Sequence, residues 1–437
     1  MKQLKIKTIK AGDLPLALRC IWRISPVKMR VANLFTALVC YCTLATRLRV
    51  KYKYDFGLHM LVANLLVIGP SGCGKSKIRR IVDMILDPLN ERDQTERHKE
   101  QDYKDMCRKM GKSTKDLPDE PLTVVRFMQN ITIPKLVKRA DFMVRRYGEP
   151  LSFFIFADEL ATLTKGSGRQ RDEMEAVGRT AYMLGEKYIR ETLYQDGYNA
   201  MVDINWSSVL CGQDYALGKF ITDSSIVGGD ASRNIIVKLN GELGDNAPVL
   251  KDLTEEEMEL ISCTANRLMN ETYTQDDKLQ PTREVDMRWL DKDVDRWCQA
   301  QREIIVKGGD RAHDSFYKRA SSTAFRLATM FYYLWGEIPE AREHTRRFYY
   351  WAAQFILDGQ MQEWGKRYNE LQIETSENEA KKPTLYDQLP NRFTRDQVSQ
   401  LVSQLELGTA PRQFIHRWLK IKKWIVAVEA DVYEKRY

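Results

Sequence analysis

The chain has 437 residues, with Lys+Arg 68 against Asp+Glu 60 and a net charge of +8. At roughly 100–200 residues per domain it holds about two to four domains, and 43% hydrophobic with 29% charged residues excludes wholesale disorder. The charge is uneven: local balances of +10 over residues 1–60 and +4 over residues 391–437 leave the residues between at −6. Two basic ends around an acidic body predict a polyanion partner, either nucleic acid or an anionic membrane.

Residues 1–10 alternate polar and apolar, which excludes a secretory signal. Residues 16–62 carry apolar positions at mixed three- and four-residue spacing and predict helix. The longest apolar run, 31–45 between Arg30 and Arg47, is shorter than the roughly 20 residues that cross a bilayer. It predicts a buried core helix, with no membrane partner. The eight cysteines form no CxxC pair and read as reduced thiols of a cytoplasmic protein. The five histidines lie too far apart to argue for a zinc site.

Asn64–Ile68 predicts a first strand, followed by a glycine-rich loop and a helix over 77–86. Residues 91–119, almost wholly charged and polar, predict a solvated helix or a mobile insertion. Further strands are expected at 122–127, 152–157, 202–211 and 234–239, with helical stretches between. That alternation predicts an α/β fold with a five-stranded parallel sheet. Helices are then expected at 254–268, 286–305, 315–335 and 339–370, and a polar linker at 373–384. The expected domains are a basic, mostly helical region (1–60), the α/β core (61–253), a helical lid (254–372) and a small terminal unit (385–437).

The loop Gly69-Pro70-Ser71-Gly72-Cys73-Gly74-Lys75-Ser76 fits G-x-x-x-x-G-K-[ST] between a strand and a helix. Its glycines let backbone N–H groups converge on phosphate oxygens, and the helix N-terminus adds its dipole. ATP and Mg²⁺ are the expected cofactors, with Lys75 on the β- and γ-phosphates and Ser76 on the metal. The apolar strand 153–157 ends in Asp158 and Glu159, at the sheet edge where ligands bind in open α/β folds. Asp158 is the expected metal residue and Glu159 the group that orients or activates water.

Other positions admit two readings each. Gln213, after the fourth strand, senses the γ-phosphate or is a loop glutamine. Arg233 reaches a neighbouring subunit's nucleotide or is a surface arginine. Arg326 folds over the nucleotide from the lid or forms a structural ion pair. The loop 165–171, with Arg169 and Arg171, grips a nucleic-acid backbone or is merely solvated.

In the terminal unit Thr394 caps a first helix, and Pro411 starts a second at the position proline favours. The second helix carries Phe414, Ile415, Trp418 and Leu419 on one face and Arg412, Gln413, His416, Arg417 and Lys420 on the other. Two short β-rich pieces follow, an order that predicts a winged helix-turn-helix. Its polar face is a DNA-contact candidate, with Lys422 and Lys423 near the phosphates; many such units bind protein instead.

The ordered series GPSGCGKS, NITIPKLVKRA, FFIFADEL, SSVLCGQDYALGKFI and GGDASRNIIVKL resembles the P-loop ATPase family of mobile elements and prophages, often fused to primase domains. That family is similar to AAA+-type replicative helicases. The resemblance implies a hexameric ring, a nucleotide site shared between subunits and DNA in the channel. It implies motif roles for Lys75, Ser76, Asp158 and Glu159, and a trans role for Arg233. No primase segment precedes the motif, so priming would come from a separate element-encoded protein. The expected function is an ATP-hydrolysing, DNA-directed motor or loader, helicase-like. The alternatives are an ATP-gated assembly protein of a defence or signalling complex, and a DNA packaging or transfer ATPase.

Overall fold

The computed structural model describes residues 6–110, 120–127, 131–163, 177–178, 181, 187–191, 199–241, 246, 248–381, 385–405, 407–422 and 424–436. The chain divides into two compact units, Met1–Asn369 and Glu370–Tyr437. Residues 1–60, the α/β core and the chain from 254 to 369 all fall in the first unit.

Helices α1 (Leu16–Ile24) and α2 (Arg30–Leu44) open the first unit. Every residue of α2 from Ala32 to Leu44 is buried, as befits a helix apolar on all sides. It packs on the parallel sheet and against α1. The stretch Val27–Leu44 is long and apolar enough to span a membrane, but 78% of it is buried inside the protein. Strands β1 (Leu48–Val50) and β2 (His59–Met60) follow, where helix is expected. The reason is non-local. Leu48 and Arg49 pair with Arg283 and Glu284, far along the chain, and tertiary pairing overrides local periodicity.

Strand β3 (Asn64–Ile68) leads through the glycine loop into α3 (Ser76–Ile85) and the long α4 (Asp87–Met110). The charged segment is thus helical as far as 110, but it is not solvated all round. Asp93, Glu96 and Glu100 are buried. Asp93 accepts the backbone N–H groups of Val125 (3.1 Å) and Arg126 (2.6 Å), and Glu100 pairs with Arg139 of the next helix. Burial pushes the Asp93 carboxyl up to about 6, against the pull of these hydrogen bonds and of Arg92 and Arg97. The carboxylate thus takes two backbone donors at the start of β4 (Arg126–Phe127).

The order continues with α5 (Ile133–Tyr147), β5 (Ser152–Ala157), an antiparallel ribbon of β6 (Tyr188–Arg190) and β7 (Ala200–Val202), and β8 (Asn205–Gly212). Then come α6 (Asp214–Phe220), α7 (Asp223–Val227) and β9 (Asn234–Lys238). Five strands form one sheet in the order β4-β5-β8-β3-β9, and every pair is parallel. All residues of β3, β5 and β8 are buried, because helices cover both faces of a parallel sheet.

The helical part runs α8 (Glu255–Asn270), β10 (Arg283–Glu284), α9 (Asp291–Gly308), α10 (Arg311–Leu334), α11 (Ala341–Gln360) and α12 (Lys366–Lys381). Thr254 and Glu257 form a reciprocal capping box at the start of α8. Helix α12 runs on to Lys381, through most of the expected linker.

The second unit contains α13 (Leu385–Gln388), β11 (Arg392–Thr394), α14 (Arg395–Gln404), α15 (Pro411–His416), β12 (Ile425–Glu429) and β13 (Val432–Lys435). A π-helical turn, Arg417–Ile421, extends α15. The strands form an antiparallel sheet in the order β11-β13-β12. Leu385, Leu389, Phe393, Val398, Val402, Ile415, Trp418 and Ile425 make its core.

Candidate functional site

Register brings the motifs to one edge of the sheet. Ile68 stands opposite Gly212 on one side and Lys238 on the other, and Ala157 stands opposite Leu210. The glycine loop, the Asp158-Glu159 pair and Gln213 therefore all leave the sheet at its C-terminal edge. Strand β8 lies between β3 and β5, so Gln213 emerges between the loop and the two carboxylates. Gln213 is exposed, and Asp158 and Glu159 are half-buried.

The loop is held from below. The Gly69 N–H donates to the Gly212 carbonyl at 3.1 Å, and the Leu239 N–H to the Ile68 carbonyl at 2.7 Å. A Cβ on Gly69 would stand 2.7 Å from the Leu239 oxygen and 2.8 Å from the Cys73 sulfur. Gly72 and Gly74 have φ of +81° and +100°, backbone that favours glycine. A Cβ on Gly74 would stand 2.2 Å from Pro248 Cγ. Ser71, Gly72 and Ser76 are exposed, while Cys73 is buried beneath them. The loop thus presents backbone donors at the N-terminus of the ten-residue α3, a geometry suited to an anion.

The Lys75 ammonium donates to the carbonyls of Gly69 and Pro70, the latter at 2.7 Å. Its charge therefore lies over the loop. Burial pushes the Cys211 thiol up to about 12, with smaller contributions from the nearby Asp158, Lys75, Cys73 and Glu159.

The sequence reading missed Arg79. This side chain forks onto Asp158, with Nε 3.2 Å from Oδ1 and Nη2 bonded to Oδ2. The guanidinium also lies over the Phe156 ring, 5.2 Å from its centroid. The signal was present: Arg79 is four residues after Lys75, one helical turn along the same face. Lys238 was missed as well. At the end of β9 it bridges Asp214 at 2.7 Å and Glu363 at 2.5 Å, tying the segment after Gln213 to the turn beyond α11.

Two arginines lie elsewhere. Arg233 precedes β9, at the opposite edge of the sheet from Lys75. Its side chain is 8% exposed, 3.5 Å from Asp230 and 3.4 Å from the Gly228 carbonyl. Gln360 pins this turn by donating to the carbonyls of Ser232 and Asn234. Arg233 is thus buried against groups of its own chain. Arg326 is buried on α10 beside His59, whose pKa is lowered by burial and then by that arginine. Arg169 and Arg171 lie outside the described residues.

The basic N-terminal segment is partly consumed within the fold. Arg23 pairs with Glu257, Arg47 and Arg49 with Glu149, and Lys53 with Asp295. These four cations have carboxylate partners within the chain. In the second unit Arg412, Gln413, His416, Arg417, Lys420 and Lys422 are exposed, and Ile415 and Trp418 on the other face are buried; Lys423 lies outside the described residues.

Among the described residues, no group of three or more His, Cys, Asp and Glu side chains is placed to hold a metal ion. Mg²⁺ does not need one, since it keeps several waters and takes one or two carboxylates beside phosphate oxygens. The Ser76 hydroxyl and the Asp158 carboxylate are a donor set of that kind. No family model and no curated protein matches this chain.

Proposed function

We propose that the chain is an ATP-hydrolysing, DNA-directed motor or loader, helicase-like, of a mobile element or phage. The fold it uses is a P-loop NTPase core of AAA+ type with a C-terminal winged helix. One observation carries the reading: β3, β5 and β8 deliver the glycine loop, the Asp158-Glu159 pair and Gln213 to one sheet edge. The winged-helix part is supported by the order of elements in the second unit and by its exposed basic helix.

Each residue has a task in this reading. The loop N–H groups and Lys75 bind and orient the phosphates, and Lys75 leaves the Gly69 and Pro70 carbonyls to do so. Ser76 and Asp158 hold Mg²⁺, which when bound supplies positive charge for the phosphate oxygens. Glu159 accepts a proton from the attacking water. Gln213 contacts the terminal phosphate from between the two motifs.

DNA-stimulated ATP hydrolysis and displacement of a strand from a forked duplex are the tests. Hydrolysis indifferent to DNA, with no strand displaced, removes the motor reading. A second reading, an ATP-gated assembly protein, is favoured by the burial of Arg233, because a ring motor would lack the arginine assigned to action in trans. Specific ATPase activity that does not rise with protein concentration supports that second reading.

A further inference from the structure

The Arg79–Asp158 pair occupies the carboxylate that the proposed function gives to the metal. The fork uses both oxygens of Asp158, the strongest arrangement available between these groups. It spans a gap that the topology creates, because β8 separates the strand before α3 from the strand before Asp158. Arg79 also carries its charge within the first turns of α3, where the helix dipole disfavours a cation. Asp158 offsets that cost. A second carboxylate is near: Asp83, one turn further along α3, also acts on the Arg79 charge and is bonded to Arg126 at 2.7 Å.

We infer that Arg79 is a positioning residue that competes with Mg²⁺ for the Asp158 carboxylate, so that the cation is taken up as this ion pair opens. The guanidinium then turns toward Asp83. The inference rests on the reading of the loop as an ATP site. It makes Mg²⁺ demand a property of Arg79, which touches no reacting atom.

The test is a binding measurement. A fluorescent, slowly hydrolysed ATP analogue is titrated with MgCl₂ against the full-length wild type, Arg79→Gln, Arg79→Lys and Asp158→Asn, with Lys75→Ala as the reference for lost phosphate binding. Arg79→Gln removes a half-exposed like charge beside the cation. The MgCl₂ concentration at half-saturation is expected to fall by about threefold to tenfold. Arg79→Lys keeps the charge but loses the fork, and a smaller fall of about twofold is expected. Asp158→Asn should remove most of the Mg²⁺ dependence. An unchanged or raised Mg²⁺ demand in folded Arg79→Gln overturns the inference while leaving the ATP site standing. If Arg79→Gln does not fold, Arg79→Lys decides by the same criterion. Wild type that binds no analogue at any MgCl₂ concentration overturns the ATP reading and the inference together.

Discussion

The Arg47 guanidinium donates to the Glu149 carboxylate at 2.9 Å, joining the end of the first helical pair to the residue pair just before β5. Arg47 is 5% exposed and Glu149 45%. Arg47 also donates to the Gln280 carbonyl at 2.7 Å. It holds the carboxyl of Glu149 below the usual carboxylate range, aided by Arg49. A guanidinium so placed is structural, and its charge is unavailable to nucleic acid.

Glu149→Gln is therefore expected to destabilise the protein by about 1–2 kcal/mol. The figure is reduced from that of a buried pair because Glu149 is nearly half-exposed. DNA affinity at fixed salt should not change. Thermal denaturation and a DNA-binding titration on the same preparations check both halves.

At the loop, Lys75→Ala should abolish ATP binding while leaving the fold intact. Glu159→Gln should bind ATP as well as wild type and hydrolyse it about 10²–10⁴-fold more slowly. Equal turnover in Glu159→Gln and wild type removes this residue from the water-activating role. Gly74→Ala must displace the loop from Pro248, so its ATP binding should fall without a change in the sheet.

The exposed face of α15 and its extension predicts a salt signature. Arg412→Ala and Lys420→Ala should each lower the slope of log affinity against log salt by about 0.9 if each neutralises one duplex phosphate. Trp418→Ala acts differently. It empties the core of the second unit, at a cost of about 3–5 kcal/mol. Slopes unaltered by both cationic substitutions would point the unit toward a protein partner.

Asp93 predicts a pH dependence. Burial raises its folded pKa to about 6, from an ordinary value of 3.8. The stability linked to its protonated form is present below the unfolded value and lost as pH rises through about 6. Asp93→Asn does not ionise. The stability of Asp93→Asn relative to wild type should therefore rise between pH 4 and pH 7, by about 3 kcal/mol at most. Denaturant titrations of both proteins at the two pH values measure it.

Arg233→Ala is expected to lower thermal stability by about 1–3 kcal/mol, as removal of a buried, hydrogen-bonded charge does. Folded Arg233→Ala should keep its ATPase activity, and adding Lys75→Ala protein should not raise it. Loss of activity in folded Arg233→Ala that Lys75→Ala protein restores would return Arg233 to a role between subunits.

What could be read from the chain alone followed the range of the interactions. The strands Asn64–Ile68 and Ser152–Ala157 were legible because short apolar runs rich in branched and aromatic residues, ended by glycine or charged residues, are strand signals. The loop was legible because its glycines and lysine stand at a set spacing between a strand and a helix. The cap at Thr394 and the amphipathic helix around Trp418 are likewise local signals. Thus the sequence by itself determined the α/β alternation, the loop, the carboxylate pair and the basic helix of the second unit.

Only the tertiary structure decided which charges are available. Long-range pairs such as Arg47–Glu149 and Lys53–Asp295 spend part of the basic N-terminal excess inside the fold. The β1–β10 pairing joins residues 1–60 to the first unit. The sheet order put β8, and with it Gln213, between the loop and Asp158, and it left Arg79 to bridge the gap. Arg233 and Arg326 went to the interior for the same reason. A charge's partner is set by where distant strands and helices bring carboxylates, and no local pattern encodes that.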